Sequence, residues 1–115
     1  MFKFEKLDAW KVSLELYRKV AGATRRLRLR DQVFLADQIR RAALSISANL
    51  AEGTGRESIR EAKHFYSISK GSVYEVVSVA HVLSQEGLLQ SSEFSEIYRL
   101  SDRVAGMLSG LIAKG

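Results

Sequence analysis

Ser72-Val73-Tyr74-Glu75-Val76-Val77-Ser78-Val79 decides the fold. The stretch is rich in residues that favour strands. Read as a strand it makes the chain α+β; read as part of a helix it makes the chain all-α. A strand here needs turn signals on both sides, and Gly71 is the only one nearby. Apolar and small residues at Ala62, Phe65, Ser69, Val73, Val76, Ala80 and Leu83 continue steps of three and four through the stretch. The spacing therefore predicts one long helix. Ser58-Ile59-Arg60-Glu61 has capping-box spacing at its start, and Gly87 stands at its end. At the α-helical rise this element is about 43 Å long.

The same periodicity marks three more segments. Leu7, Trp10, Leu14, Tyr17 and Ala21 form the first stripe; Leu35, Ile39, Ala42, Ile46 and Asn49 form the second. Asp31 is the expected N-cap of the second segment, and Gly53 and Gly55 its expected stop. The fourth segment starts near Ser91 or Ser92 and carries Phe94, Ile97, Val104, Leu108 and Leu111. No proline interrupts any of them, as long helices with short connections require. The prediction is an all-α, antiparallel up-down four-helix bundle formed by residues 1–115 as a single domain.

Composition narrows the function classes. The 115 residues are 46% hydrophobic and 27% charged, the balance of a globular chain that buries a core. No cysteine is present, which excludes disulfides, thiolate nucleophiles and Cys-based zinc sites. No apolar run has the length of a signal peptide or a membrane span, so a cytoplasmic protein without membrane contact is the expectation.

The net charge of +5 is unevenly placed: residues 1–57 hold twelve Lys/Arg against seven Asp/Glu, and residues 58–115 hold six of each. Such asymmetry points to an anionic partner for the first half. Its focus is Arg25-Arg26-Leu27-Arg28-Leu29-Arg30. An extended chain puts Arg26, Arg28 and Arg30 on one side and both leucines on the other. The planar guanidinium suits phosphate because it donates two hydrogen bonds at once. Arg25, Arg26, Arg28, Arg30, Arg40, Arg41 and Arg56 are the candidate phosphate contacts, to RNA or DNA. No base-reading signature accompanies them, so binding is expected to be sequence-tolerant. The competing reading is a solvated loop at the C-terminal end of a helix, where cations are favourable.

The uncharged run from Ala42 to Ala51 is a second candidate. It covers nearly three turns, so no face of it carries charge. A helix with one face in water needs a polar side, and this one points instead to burial by the bundle on one side and by another subunit on the other. Leu44, Ser47, Ala48 and Ala51 are the expected interface residues, with Asn49 a polar group specifying register.

Gln38 to Arg56 as a whole resembles the signature of a bacterial family of small four-helix bundles, first noticed as products of intervening sequences within 23S ribosomal RNA genes. Leu7-Asp8-Ala9-Trp10, Gly71-Ser72, Glu86-Gly87-Leu88-Leu89 and Met107-Leu108-Ser109-Gly110-Leu111-Ile112 match as well. The resemblance implies assembly into a ring, a homopentamer. A related branch comprises accessory proteins of diversity-generating retroelements, whose basic ring surface is thought to work with reverse transcriptase and nucleic acid. A nucleic-acid enzyme is thus an implied partner, although the family has no established biochemical activity. Two departures stand out: Ser47 where relatives often carry proline, and Thr24–Arg30 where they have a proline-containing connection.

Other motifs carry less. Glu61-Ala62-Lys63-His64 is a Glu-x-x-His on a helix, but di-iron bundles need two of these plus two further glutamates. Near His81 the matching position is Ser78, so no metal site is expected. Ser67-Ile68-Ser69-Lys70 has Ser-x-x-Lys spacing without the companion motifs of acylating enzymes. Gly53-Thr54-Gly55-Arg56 follows no strand and lacks Gly-Lys-Ser/Thr, so it reads as a turn. Gly71, Gly106 and Gly110 read as sites of close helix approach. No catalytic residue and no cofactor are expected. The composite expectation is a non-enzymatic oligomer binding nucleic-acid backbone, with a structural scaffold or protein-interaction module as the alternative.

Overall fold

The computed structural model describes residues 1–114. A short 3₁₀ turn (Lys3–Lys6) leads into α1 (Asp8–Thr24), α2 (Arg30–Thr54), α3 (Ile59–Gln85) and α4 (Ser91–Ala113). Each helix packs most closely on its two neighbours around a square, α1 on α2 and α4, α3 on α2 and α4. Connections of a few residues make consecutive helices antiparallel. The long axis of 44 Å accommodates the 27 residues of α3, roughly 40 Å of helix. No strand forms among the described residues, and residues 72–79 lie inside α3.

Local chemistry explains the boundaries. Ser58 Oγ accepts the Glu61 backbone N–H at 3.1 Å and donates to Glu61 Oε1 at 3.1 Å, satisfying one free end of α3. At the other end Gly87 adopts φ +72°, while Leu88 N donates to Leu83 O and Gly87 N to Ser84 O. This pairing closes the helix only if the residue after its cap is left-handed, which favours glycine. Asp31 is not an N-cap: α2 begins one residue earlier, and the Gln32 side chain accepts the Leu29 N–H. Nor are Gly53 and Gly55 left-handed stops. Gly53 is inside the last turn of α2, and Gly55 keeps φ −85°.

Gly53 serves close packing instead. A Cβ on it would stand 2.7 Å from the Tyr66 ring and 3.1 Å from the Ala62 carbonyl oxygen. Further along the same seam Ser69 Oγ donates to Ile46 O at 2.8 Å and Ser72 Oγ to Ser45 Oγ at 2.9 Å. Small residues thus let α2 and α3 approach closely. At Gly71, Gly106 and Gly110 the expectation fails, since an added Cβ there meets nothing within 4 Å.

The core contains Leu16, Val20, Ile39, Ile46, Leu50, Val73, Val76, Leu83, Ile97, Leu100, Val104 and Leu108, all sealed from solvent. Three of the four predicted stripes run through it. In α1 the innermost stripe is Ala9, Val12, Leu16, Val20 and Ala23. The predicted stripe of Leu7, Trp10, Leu14, Tyr17 and Ala21 is only half-buried and flanks it. Trp10 and Tyr17 carry polar tips that favour a boundary over a closed interior.

Candidate nucleic-acid interface

The connection between α1 and α2 is not extended. Arg25 and Arg26 form a turn, Leu27 N donates to Thr24 O, and Arg30 already belongs to α2. Leu27 is buried, but Leu29 is 66% exposed. The predicted alternation therefore fails, because the turn at Arg25 and Arg26 and the start of α2 at Arg30 leave only residues 27–29 between them.

Arg26 is committed within the chain. Its Nη1 donates to Ala23 O at 2.9 Å and to Glu93 Oε2 at 3.0 Å. Its Nη2 donates to Leu88 O at 3.1 Å and to Glu93 Oε1 at 2.8 Å. All four terminal N–H groups are used, so this residue clamps the end of α1 to the α3–α4 corner. The bond to Arg26 is the main cause that holds the Glu93 carboxyl below the usual range, and it raises the guanidinium in turn. Glu93 Oε1 also accepts the Gln90 N–H at 2.8 Å and so caps α4.

Two more predicted contacts are engaged elsewhere. Arg40 Nε donates to Thr24 Oγ1 at 2.9 Å, tying α2 to the end of α1. Arg56 lies beyond Thr54, at the far end of a 25-residue helix that runs roughly 38 Å. There it faces Glu52 at 3.5 Å and sits 4.5 Å over the Phe65 ring. It cannot join the basic connection.

Arg25, Arg28, Arg30 and Arg41 remain. All four are exposed, and none has a side-chain hydrogen bond or ion pair among the described residues. The nearby acids are partly neutralised: Glu93 is held by Arg26, and Glu96 by Arg99, whose Nη2 lies 2.6 Å from Oε1. The Arg99 bond is the main cause lowering the Glu96 carboxyl, with a lesser contribution from Lys19. Asp31, Asp37 and Glu86 form no ion pair among the described residues.

The uncharged run of α2 divides by face. Ala42, Ala43, Ile46, Ser47 and Leu50 are buried in the bundle. Ser47 was expected at an interface; its hydroxyl instead donates to Leu44 O at 3.0 Å inside the chain. Asn49 is half-buried and satisfied locally, donating to Ser45 O and Ser45 Oγ. Much of the missing charge therefore serves the close α2–α3 seam. Leu44, 55% exposed, and Ala48 face outward, with Ala51 half-buried. Arg40, Leu44, Ser47 and Ala51 share one side of α2 by spacing, and the Arg40–Thr24 bond identifies that side as facing α1. On α1 the half-buried Trp10, Leu14, Tyr17, Ala21 row ends at Thr24 with the same spacing. The two rows make one apolar flank along α1 and α2, longer than the interface set read from sequence.

The remaining motifs form no centre. His64 is exposed with its edge near Phe65, and His81 is exposed against Phe94. Glu61 is bonded to Ser58. No group of three His, Cys, Asp or Glu side chains among the described residues is placed to hold a metal, and no helix is long and apolar enough to cross a membrane.

The model of a family described as 23S rRNA-intervening sequence protein matches residues 5–110. A crystal structure from Bacteroides thetaiotaomicron, described as a protein of unknown function from the S23 ribosomal protein family, superimposes with a TM-score of 0.83. It is 18% identical and covers 92% of this chain and 99% of its own. At that identity the likeness shows the fold alone. No curated protein matches the sequence significantly.

Proposed function

The chain belongs to the 23S rRNA-intervening sequence protein family, and we propose that it is a homo-oligomeric, non-enzymatic accessory protein that binds nucleic-acid backbone. One observation carries this reading: three exposed arginines, Arg25, Arg28 and Arg30, lie at one end of the bundle, and a fourth, Arg41, lies about 16 Å along α2 from Arg30, all without side-chain partners among the described residues. Arginines held in internal pairs lose little by staying there, whereas free ones are available to phosphate. Arg26 and Arg40 act beneath them, fixing the turn from which Arg25, Arg28 and Arg30 project. Contacts of this kind position a protein on the backbone and carry no sequence code. RNA or DNA, in a cytoplasmic setting and alongside a nucleic-acid enzyme, is the partner class that fits the family resemblance.

Self-association rests on the apolar α1–α2 flank, where Trp10, Leu14, Tyr17, Leu44, Ala48 and Ala51 run together. A stable interface between copies has an apolar centre with a polar rim, and Lys11, Arg18 and Arg41 supply such a rim. The pentamer implied by the family is the ring size we adopt. A scaffold without nucleic acid is the second reading, and it draws on this same flank. Native mass spectrometry of protein purified at low salt without nuclease separates the two. A multimer carrying nucleotide mass supports the first, a clean multimer favours the scaffold, and a clean monomer refutes both.

A further inference from the structure

On the opposite side of the bundle α3 and α4 leave a half-open groove of about 330 Å³. Its walls are Val73, Val77 and Ala105; Tyr74 and Tyr98 stand over it, 65% and 49% exposed. Asp102 lies at the rim, exposed and without an ion pair among the described residues. The cations around it do not satisfy it. Arg103 follows it in α4 and Lys70 lines the adjoining depression beside Tyr74, neither forming an ion pair among the described residues, and Arg99 is held by Glu96.

Ser101 is the unusual member. Its residue is fully buried, it lines this groove, and its hydroxyl has no hydrogen-bond partner among the described residues. Hydroxyls within helices ordinarily bond back to a carbonyl three or four residues earlier. Ser13, Thr24, Ser47, Thr54 and Ser72 all do so here. A buried hydroxyl left open is costly unless something completes it.

We infer that the α3–α4 groove binds an organic cation of the alkylguanidinium or alkylammonium class. Tyrosine faces attract a cation through the ring quadrupole, and the Asp102 carboxylate supplies a charge-assisted hydrogen bond; the Ser101 hydroxyl, closed off beneath the floor, becomes an acceptor when the floor side chains part around the bound cation. The alkyl part lies against Val73, Val77 and Ala105. A small set of convergent polar groups in an apolar cleft is the form ligand sites take. The cation has two sources with the same chemistry, a free small molecule or an arginine of a second copy. The inference stands apart from nucleic-acid binding, which uses the other half of the chain.

The test is methyl NMR of Val73, Val77 and Ala105 with n-butylguanidinium chloride as the probe. The expected result is saturable shifts in the wild type, with affinity reduced on the order of tenfold in Asp102→Asn. Ser101→Ala is expected to weaken the probe while raising the thermal midpoint of the free protein, a combination that loss of structure does not give. If the same methyls shift on raising protein concentration alone, and the probe reverses this, the source is a second copy. If they do not depend on protein concentration, it is a free molecule. Absence of saturable shifts in the wild type, or equal affinity in Asp102→Asn, overturns the inference.

Discussion

Arg26 and Glu93, 67 residues apart, are joined by two parallel hydrogen bonds of 2.8 and 3.0 Å. That fork closes the bundle at one end, because the same guanidinium reaches Ala23 O and Leu88 O. Arg26→Ala is expected to destabilise the fold by about 1–2 kcal/mol, a figure reduced for screening because about half of the guanidinium side chain meets solvent. Arg28→Ala, two residues on, is expected to leave the denaturation midpoint unchanged. Urea titrations of the two variants check the contrast.

The same pair sets a pH dependence. Arg26 holds the Glu93 carboxyl below the ordinary glutamate range. A carboxyl depressed in the folded state contributes stability above its unfolded value, and that contribution disappears as pH falls through its folded value. Thermal midpoints are therefore expected to drop as pH falls below the ordinary glutamate range and through the lower folded value, and Glu93→Gln is expected to flatten this part of the curve. Equal slopes in the wild type and the variant contradict the pairing.

Two glycines within a short stretch of the α2–α3 hairpin predict opposite signs. Gly53→Ala puts a methyl 2.7 Å from the Tyr66 ring and 3.1 Å from a backbone oxygen, and is expected to cost about 1–3 kcal/mol as an overpacked contact. Gly71→Ala enters open space in mid-helix and is expected to stabilise by about 0.5–1 kcal/mol. Thermal melts of both read the difference directly.

Leu44 is largely exposed in the single chain, so Leu44→Asp is expected to spare folding and abolish self-association. Sedimentation velocity on a variant with wild-type helical content checks this. An unchanged multimer excludes the α1–α2 flank as the contact between copies.

Most of the fold was legible because four stretches keep helical spacing without proline, and even the valine-rich 72–79 segment obeyed that spacing over its strand propensity. What the spacing could not rank was the two apolar rows of α1. Leu7, Trp10, Leu14, Tyr17 and Ala21 have the bulkier side chains, yet Ala9, Val12, Leu16, Val20 and Ala23 form the buried row. Periodicity reports that a face is apolar, not whether it meets the core or a flank. The site was legible less well. Clustered arginines were visible, but nothing near Arg26 announces Glu93, and the partner of a charge 67 residues away depends on topology. The uncharged run was read as buried on two sides, by the bundle and by another subunit; which of its residues meet the bundle was not legible, because Ser69 and Ser72, which complete the α2–α3 seam, lie on the next helix.

The central claim is phosphate contact by Arg25, Arg28, Arg30 and Arg41. The most direct test is the salt dependence of binding to a labelled duplex, measured for the wild type and for Arg25→Ser, Arg28→Ser and Arg30→Ser combined. Four free arginines per chain on B-DNA give a loss of about 150-fold over a fourfold rise in salt. The account predicts a wild-type slope at least that steep. In the triple variant it predicts a slope shallower by about three phosphates' worth per chain engaged, with the thermal midpoint retained. Affinity that is flat in salt, or a slope the triple variant leaves unchanged, contradicts it.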